Sequence, residues 1–262
     1  MDLKLSGKKV LVTGASKGIG RAAAHAFAAE GCDLYLVARG EERLNALARE
    51  IEEEKGVSVD AMPADLRDDA QLRSVAGRAA DADILVNNAG DIPAGTLDGI
   101  DDETWRHAWD LKVFGYINLS RLVLQGMKER ERGVVINIVG VAGERLAFDY
   151  VAGSTGNAAL IAFTRALGSR SLEDGIRVIG INPGIVLTDR VVMLYRQLAS
   201  RRWGDESRYA ELLGEHRKGI LVEPEDVADL MTFLASDRAR RISGSIVAVD
   251  GGLAAYHTLG GN

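Results

Sequence analysis

Between the first apolar run and the first helical pattern stands TGASKGIG, residues 13–20, and no other stretch limits the folding choices of the chain so tightly. The run before it, KKVLVTG (8–14), is rich in valine and leucine without alternation, as a strand buried on both faces is. The segment after it, IGRAAAHAFAAEG (19–31), reads as a helix stopped by glycine. A glycine-rich turn between such a strand and helix lets the backbone bend sharply and leaves the leading amides of the helix unpaired. Those amides and the positive end of the helix dipole suit a phosphate. The spacing Gly14, Gly18, Gly20 is wider than that of the GxGxxG fingerprint, and a plain strand-to-helix turn is the alternative.

The alternation that begins there continues. CDLYLVAR (32–39) reads as a strand, EERLNALAREIEEEKG (41–56) as a helix, and VSVDAMPADL (57–66) as a strand with its exit loop. DDAQLRSVAGRAA (68–80) is a helix and ADILVNNAG (82–90) a strand. A helical region spans 102–130, followed by a strand at GVVINIV (133–139), a helix at 158–175 and a strand at IRVIGIN (176–182). PEDVADLMTFLAS (224–236) starts a helix with proline in its first turn, and GSIVAVDGG (244–252) supplies a seventh strand. This order requires right-handed crossovers. The expected fold is α/β and doubly wound, a seven-stranded, mostly parallel sheet with helices on both faces. It is Rossmann-like, a single dinucleotide-binding domain over 1–262.

Composition narrows the function classes. With 47% apolar residues the chain can build a large core, and a net charge of −6 gives no reason to expect nucleic acid or anionic membrane as partners. Cys32 is the single cysteine, which rules out an intramolecular disulfide. There is neither a run of 18 apolar residues nor a secretion signal, so a cytoplasmic protein is expected. No His/Cys/Asp/Glu cluster has metal-ligand spacing, and no metal is expected.

The second strand ends in Val37, Ala38 and Arg39, without the carboxylate that would hold a ribose 2′-hydroxyl. Lys17 lies in the glycine turn. Two cations and no carboxylate suit a 2′-phosphate, which favours NADP(H) over NAD(H), although both side chains also read as solvated surface charges.

TGASKGIG, NNAG (87–90), NPGIVLT (182–188) and VDGG (249–252), in this order, make the chain resemble the classical short-chain dehydrogenase/reductase family over roughly 7–252. The resemblance implies an oxidoreductase acting on a carbonyl or alcohol of a small-molecule substrate, assembled as a homodimer or homotetramer. It implies cofactor contacts at Gly14, Ser16, Lys17, Gly18, Ile19, Gly20 and Arg39, adenine contacts at Asp65 and Leu66, and a cleft lining at Asn88, Ala89 and Gly90. Pro183, Gly184, Ile185 and Thr188 match the loop over the nicotinamide end.

Four further positions carry the family's proton chemistry, and the resemblance fails at all of them. The serine position holds Gly140, the tyrosine position Gly153, the lysine position Asn157 and the asparagine position Lys112. No catalytic residue is therefore assigned. Tyr150, three residues before Gly153, shares its helical face if the helix starts early, or is a packing residue with its hydroxyl in water. Lys112 either enters the site or snorkels to solvent. Residues 189–221 stand where the family has a substrate lid; their mixed charge, from Asp189 and Arg190 to Arg217 and Lys218, suits an anionic substrate or an ordinary solvated helix face. Two other readings stay open. One is a non-catalytic NADP(H)-binding sensor, scaffold or partner protein, and the other a non-redox enzyme using the same cleft.

Overall fold

The first apolar run becomes β1 (Lys9–Thr13), whose Val10, Leu11 and Val12 are fully buried because both of its faces are covered. After it come α1 (Gly18–Ala29), β2 (Asp33–Ala38), α2 (Glu41–Lys55), β3 (Val59–Pro63), α3 (Asp69–Arg78) and β4 (Ile84–Asn87). The second half runs α4 (Asp102–Trp109), α5 (Gly115–Glu129), β5 (Gly133–Ile138), α6 (Val151–Gly168), β6 (Ile176–Pro183) and β7 (Ile185–Val186). It closes with α7 (Asp189–Trp203), α8 (Tyr209–Gly214), β8 (Leu221–Val222), α9 (Pro224–Ala235) and β9 (Ile246–Val249). This computed structural model describes residues 1–216 and 219–255; Arg217 and Lys218 of the charged segment lie outside the described residues.

Seven strands form one parallel sheet in the order β3-β2-β1-β4-β5-β6-β9, as the alternation requires. Successive side chains of β1 face opposite layers. Val10 and Val12 pack with Phe27 of α1, Leu44 of α2 and Met231 of α9, while Leu11 packs with Val75 of α3 and Leu119 of α5. The order reverses between β1 and β4, so the crevice beyond their carboxyl ends is the switch point where such sheets bind ligands.

The structure departs from the sequence expectation in four places. The helix expected from 158 starts at Val151 and ends at Gly168, beyond which Ser171–Asp174 forms a separate tight turn. A glycine inside a helix costs about 1 kcal/mol, yet Gly156 lets α6 approach α4 closely: a Cβ there would sit 3.2 Å from Trp109 Nε1. Trp109 Nε1 also donates to Ala152 O at 3.0 Å. The helical region 102–130 is two helices joined by a π-type turn at Asp110–Phe114. The polar segment 189–221 is largely helical, and its β8 pairs in parallel with β7. The last strand is four residues long, Ile246–Val249, in parallel register with β6. Among the described residues no helix is long and apolar enough to cross a membrane.

A buried polar chain ties together the elements that carry the crevice. Asn87 Nδ2 donates to Ser120 Oγ of α5 at 3.0 Å and to Asn137 Oδ1 of β5 at 2.9 Å, and Asn137 Nδ2 donates to Thr164 Oγ1 of α6 at 2.9 Å. Thr164→Val keeps the side-chain shape but leaves Asn137 Nδ2 without that acceptor. A loss of about 1–3 kcal/mol is expected for such an unpaired buried donor, measured by urea unfolding. A variant as stable as the parent would show the chain to be energetically idle.

Candidate functional site

The glycine turn is built from close approaches that no side chain permits. Gly14 and Gly18 have φ of +65° and +53°, in the left-handed region. A Cβ on Gly20 would lie 2.2 Å from Gly14 O, so only hydrogen lets the first turn of α1 fold back on β1. Thr13 Oγ1 donates to Val86 O at 3.2 Å and accepts from the Asn88 and Ala89 amides at 2.9 and 3.1 Å. Asn88 Nδ2 returns a bond to Thr13 O at 2.9 Å. These bonds lock the ends of β1 and β4 side by side. The N-cap of α1, Lys17, makes no side-chain capping bond, and the first turn contains no acid, so no side chain there competes with an anion for the leading amides.

A cavity of about 280 Å³ joins this turn to the rest of the expected site. It is lined by Gly14, Lys17, Gly18 and Ile19, by Asn88, Ala89 and Gly90, and by Pro183, Gly184 and Thr188. Ser16, Gly20 and Ile185 are adjacent in the chain to these lining residues without lining the cavity themselves. Asp65, Leu66 and Arg39 also lie outside its wall. Leu66 is buried in the core, and Asp65 accepts two bonds from Arg67 Nε at 2.9 and 3.1 Å, which hold its carboxyl below the usual range. Arg39 is exposed and lies 3.8 Å from Asp91, a carboxylate that the strand-end reading did not include. Such an exposed pair contributes little. A larger concavity of about 820 Å³, walled by Leu97, Trp105, Trp109 and Phe114 of the α4–α5 face, holds none of the expected site residues. No group of three or more metal-ligating side chains occurs among the described residues.

Tyr150, Lys112 and Gly140 line the same cavity as the glycine turn. Tyr150 caps α6, its carbonyl accepting the Ser154 amide at 2.8 Å. Its flanks are pinned to Gly95, with Gly95 N–H donating to Asp149 O at 2.7 Å and Val151 N–H to Gly95 O at 3.3 Å. The ring then lies directly over Gly153: a Cβ there would fall 2.0 Å from Tyr150 Cε1 and 2.1 Å from Cζ. The phenol therefore occupies the space that a side chain at 153 would fill. Its inner edge packs with Ile92, Ala152 and Trp109.

The other two small positions follow the same logic. Gly140 has φ of +130°, and a Cβ on it would sit 2.9 Å from Asn157 Nδ2. Asn157 thus points across to Gly140, while the Gly140 amide donates to Asn182 Oδ1 at 3.3 Å. Asn157 Oδ1 and Asn182 Nδ2 are buried polar atoms without a partner among the described residues.

Two cations line this end of the cavity. Lys112 comes from the π-type turn, lays its stem on Gly90 and donates from Nζ to Val139 O at 2.6 Å. Desolvation, reinforced by the Arg190 charge, pushes its ammonium from the ordinary 10.5 down to about 7. Arg190, near the start of α7, donates to Ile92 O, lines the cavity together with Tyr150, and lies 3.9 Å from Asp91 Oδ1. Burial raises the phenol above its ordinary value of 10, and Arg190 opposes that shift. Sequence reading weighed Lys112 and Tyr150 but took Arg190 only as one charge of a mixed segment.

Two stability measurements test this geometry. Gly153→Ala drives a methyl into the Tyr150 ring and should destabilise by about 1–3 kcal/mol. In a Tyr150→Ala background the same change should be neutral or stabilising, since alanine is the better helix former by about 1 kcal/mol. Additive effects in the double-mutant cycle would contradict the contact. For Lys112, the unfolded chain keeps its proton up to about 10.5 and the folded protein releases it at about 7. The unfolded state binds the extra proton in that window, so stability should rise with pH across it, and the cost of burial is fully felt below it. Lys112→Met should lack this rise in urea melts at stepped pH; parallel profiles would put the ammonium in water.

The chain is matched by a family model described as short chain dehydrogenase over residues 8–198. It is 34% identical over 254 residues to the oxidoreductase UcpA of Salmonella typhimurium, covering 95% of each chain. L-Sorbose reductase from Gluconobacter frateurii, solved with NADPH and L-sorbose, superposes with a TM-score of 0.91 at 33% identity, covering 98% of this chain and 100% of that one. A 7α-hydroxysteroid dehydrogenase solved with NADH and a 7-oxo bile acid conjugate superposes with a TM-score of 0.83 at 29% identity, covering 96% of both chains. The parallel sheet, the glycine turn at its switch point and these likenesses agree: the chain belongs to the short-chain dehydrogenase family.

Proposed function

We propose that this protein binds NADP(H) in the crevice and reduces a carbonyl on a small organic substrate, with Tyr150 as the proton donor. One observation carries the reading: the Tyr150 ring stands over Gly153, where the family sets its tyrosine, and faces the cavity that the glycine turn also lines. The residues fit the cofactor. Gly14, Ser16, Gly18, Ile19 and Gly20 would form the turn around its pyrophosphate, a turn whose tight path requires glycine at 14 and 20, where a Cβ would collide with Ala89 and with Gly14 O, and the uncapped start of α1 suits the charge. Lys17 and Arg39 would meet the 2′-phosphate, whose charge outcompetes the exposed Asp91 carboxylate for Arg39. Asp65 and Leu66 would border the adenine. Asn88, Ala89 and Gly90 would line the cleft, and Pro183, Gly184, Ile185 and Thr188 the nicotinamide end. L-Sorbose reductase, solved with NADPH, supports this choice, and the NADH-bound steroid dehydrogenase makes Lys17 and Arg39 the deciding residues.

Bound NADPH supplies the hydride; this chain's residues manage the proton. Like any phenol, Tyr150 carries its proton at neutral pH and would give it to a substrate oxygen; burial tightens its hold on that proton, so a nearby cation would be needed to ease the transfer. Lys112 changes charge at about 7 in the same cavity, so its ionisation should appear as a limb of the pH–rate profile near that value. Segment 189–221, with Arg190 at the cavity wall, would act as the substrate lid.

A second reading keeps the cofactor and drops the turnover. Gly140 favours it, because no hydroxyl stands there to polarise a carbonyl opposite Tyr150. The two separate in one experiment, NADPH consumption over a panel of ketones and aldehydes. Under the first reading, Tyr150→Phe lowers turnover about 10²- to 10⁴-fold, the usual worth of a positioned acid, and leaves NADPH affinity unchanged by fluorescence titration. Unchanged turnover would remove Tyr150 from the mechanism. NADPH binding by the parent without turnover on any substrate would establish the second reading.

A further inference from the structure

The residue at the family's lysine position, Asn157, carries no charge and points to Gly140. The Tyr150 phenol therefore lacks a cation from its own helix. The structure supplies one from another element. Arg190, the second residue of α7, lines the cavity together with Tyr150 and donates to the carbonyl of Ile92, whose side chain belongs to the apolar cluster against which the Tyr150 ring packs. A guanidinium has five N–H donors in a planar fork, so it can hold a carbonyl with one arm and a phenol oxygen with another. It also stays charged at every working pH, whereas Lys112, the other cation at this end of the cavity, loses its proton at about 7.

The charged groups facing the phenol are few and come from separate elements. Arg190 arrives from α7 and Asp91 from the loop after β4, the latter opposing ionisation of the phenol. Asp91 is the more exposed of the two, with 66% of its side chain accessible against 46% for Arg190, so water screens its charge more. Lys112 lines the same wall from the π-type turn.

We propose that Arg190 is the positioning cation of Tyr150, replacing a lysine of α6 with a charge delivered by α7, so that the seating of α7 completes the proton site. This rests on the reading of Tyr150 as the proton donor. It predicts that the phenolate of Tyr150 is stabilised by Arg190 even in the protein without cofactor or substrate, where a purely structural tie would leave its ionisation unmoved.

The test reads the phenol directly. Protein carrying 3,5-difluorotyrosine, whose phenol ionises at lower pH, is titrated by ¹⁹F NMR, with the Tyr150 signal assigned by its loss in Tyr150→Phe. Arg190→Met should raise the Tyr150 midpoint by about one pH unit, a ten-fold change in the ionisation equilibrium, and Arg190→Lys should recover most of that shift. An unmoved midpoint in Arg190→Met, with the remaining ¹⁹F spectrum intact, overturns the proposal. If Arg190→Met loses its fold, Arg190→Lys decides: a midpoint near the parent's supports a charge role, and one raised by a full unit contradicts it. The two claims fail separately. An unmoved midpoint alongside loss of turnover in Tyr150→Phe sinks Arg190 alone, whereas full turnover in Tyr150→Phe sinks the reading of Tyr150 whatever the titration shows.

Discussion

The contact of the Tyr150 ring with Gly153 governs this site. A phenol can lie there only because residue 153 has no side chain, and it is held there because the Gly95 bridge fixes the backbone on either side. Much of the surrounding sequence follows from that one placement. Gly156 lets α6 come close enough to α4 for Trp109 to bond Ala152 O, and the resulting apolar pocket takes the inner edge of the ring. A helix with glycine at two positions in its first turns would be poor in isolation. Packing outweighs propensity here, as it does in most protein helices.

The same placement sets the electrostatics. The phenol is surrounded by apolar side chains on one side and the cavity on the other, and desolvation outweighs the Arg190 charge in setting its proton affinity. Lys112 is also desolvated, and the guanidinium adds to the effect rather than opposing it. One arginine thus pushes both neighbours in the same chemical direction, towards releasing a proton. The result is a site with a protonated phenol and a lysine that titrates at about 7 on one wall, built from α6, the π-type turn and α7 instead of from a single helix.

The fold was largely legible in the chain. Strand–helix alternation implied the parallel sheet, and TGASKGIG located the crevice, because buried strands and tight glycine turns leave local signatures. What was not legible depended on contacts distant in sequence. Gly153 and Gly156 argued locally against helix, so the start of α6 was expected seven residues late, until Trp109 and the Tyr150 ring explained both glycines. Lys112 was picked out by position, but the π-type turn that aims it inward has no sequence signal as short as DLKVF. Arg190 was hidden among other charges of its segment. Asp91, which faces both Arg39 and Arg190, was missed because it follows the motif NNAG rather than lying within it.

The central claim is that the proton donor has moved one helical turn, from residue 153 to residue 150, without leaving the active site. A crystal structure of the protein with NADP⁺ bound tests it most directly. The account predicts that the Tyr150 hydroxyl lies where an oxygen placed against nicotinamide C4 would be within hydrogen-bond reach, about 2.6–3.2 Å, with Arg190 beside the phenol. A phenol turned away from the nicotinamide, with the space over Gly153 taken by solvent, would contradict it.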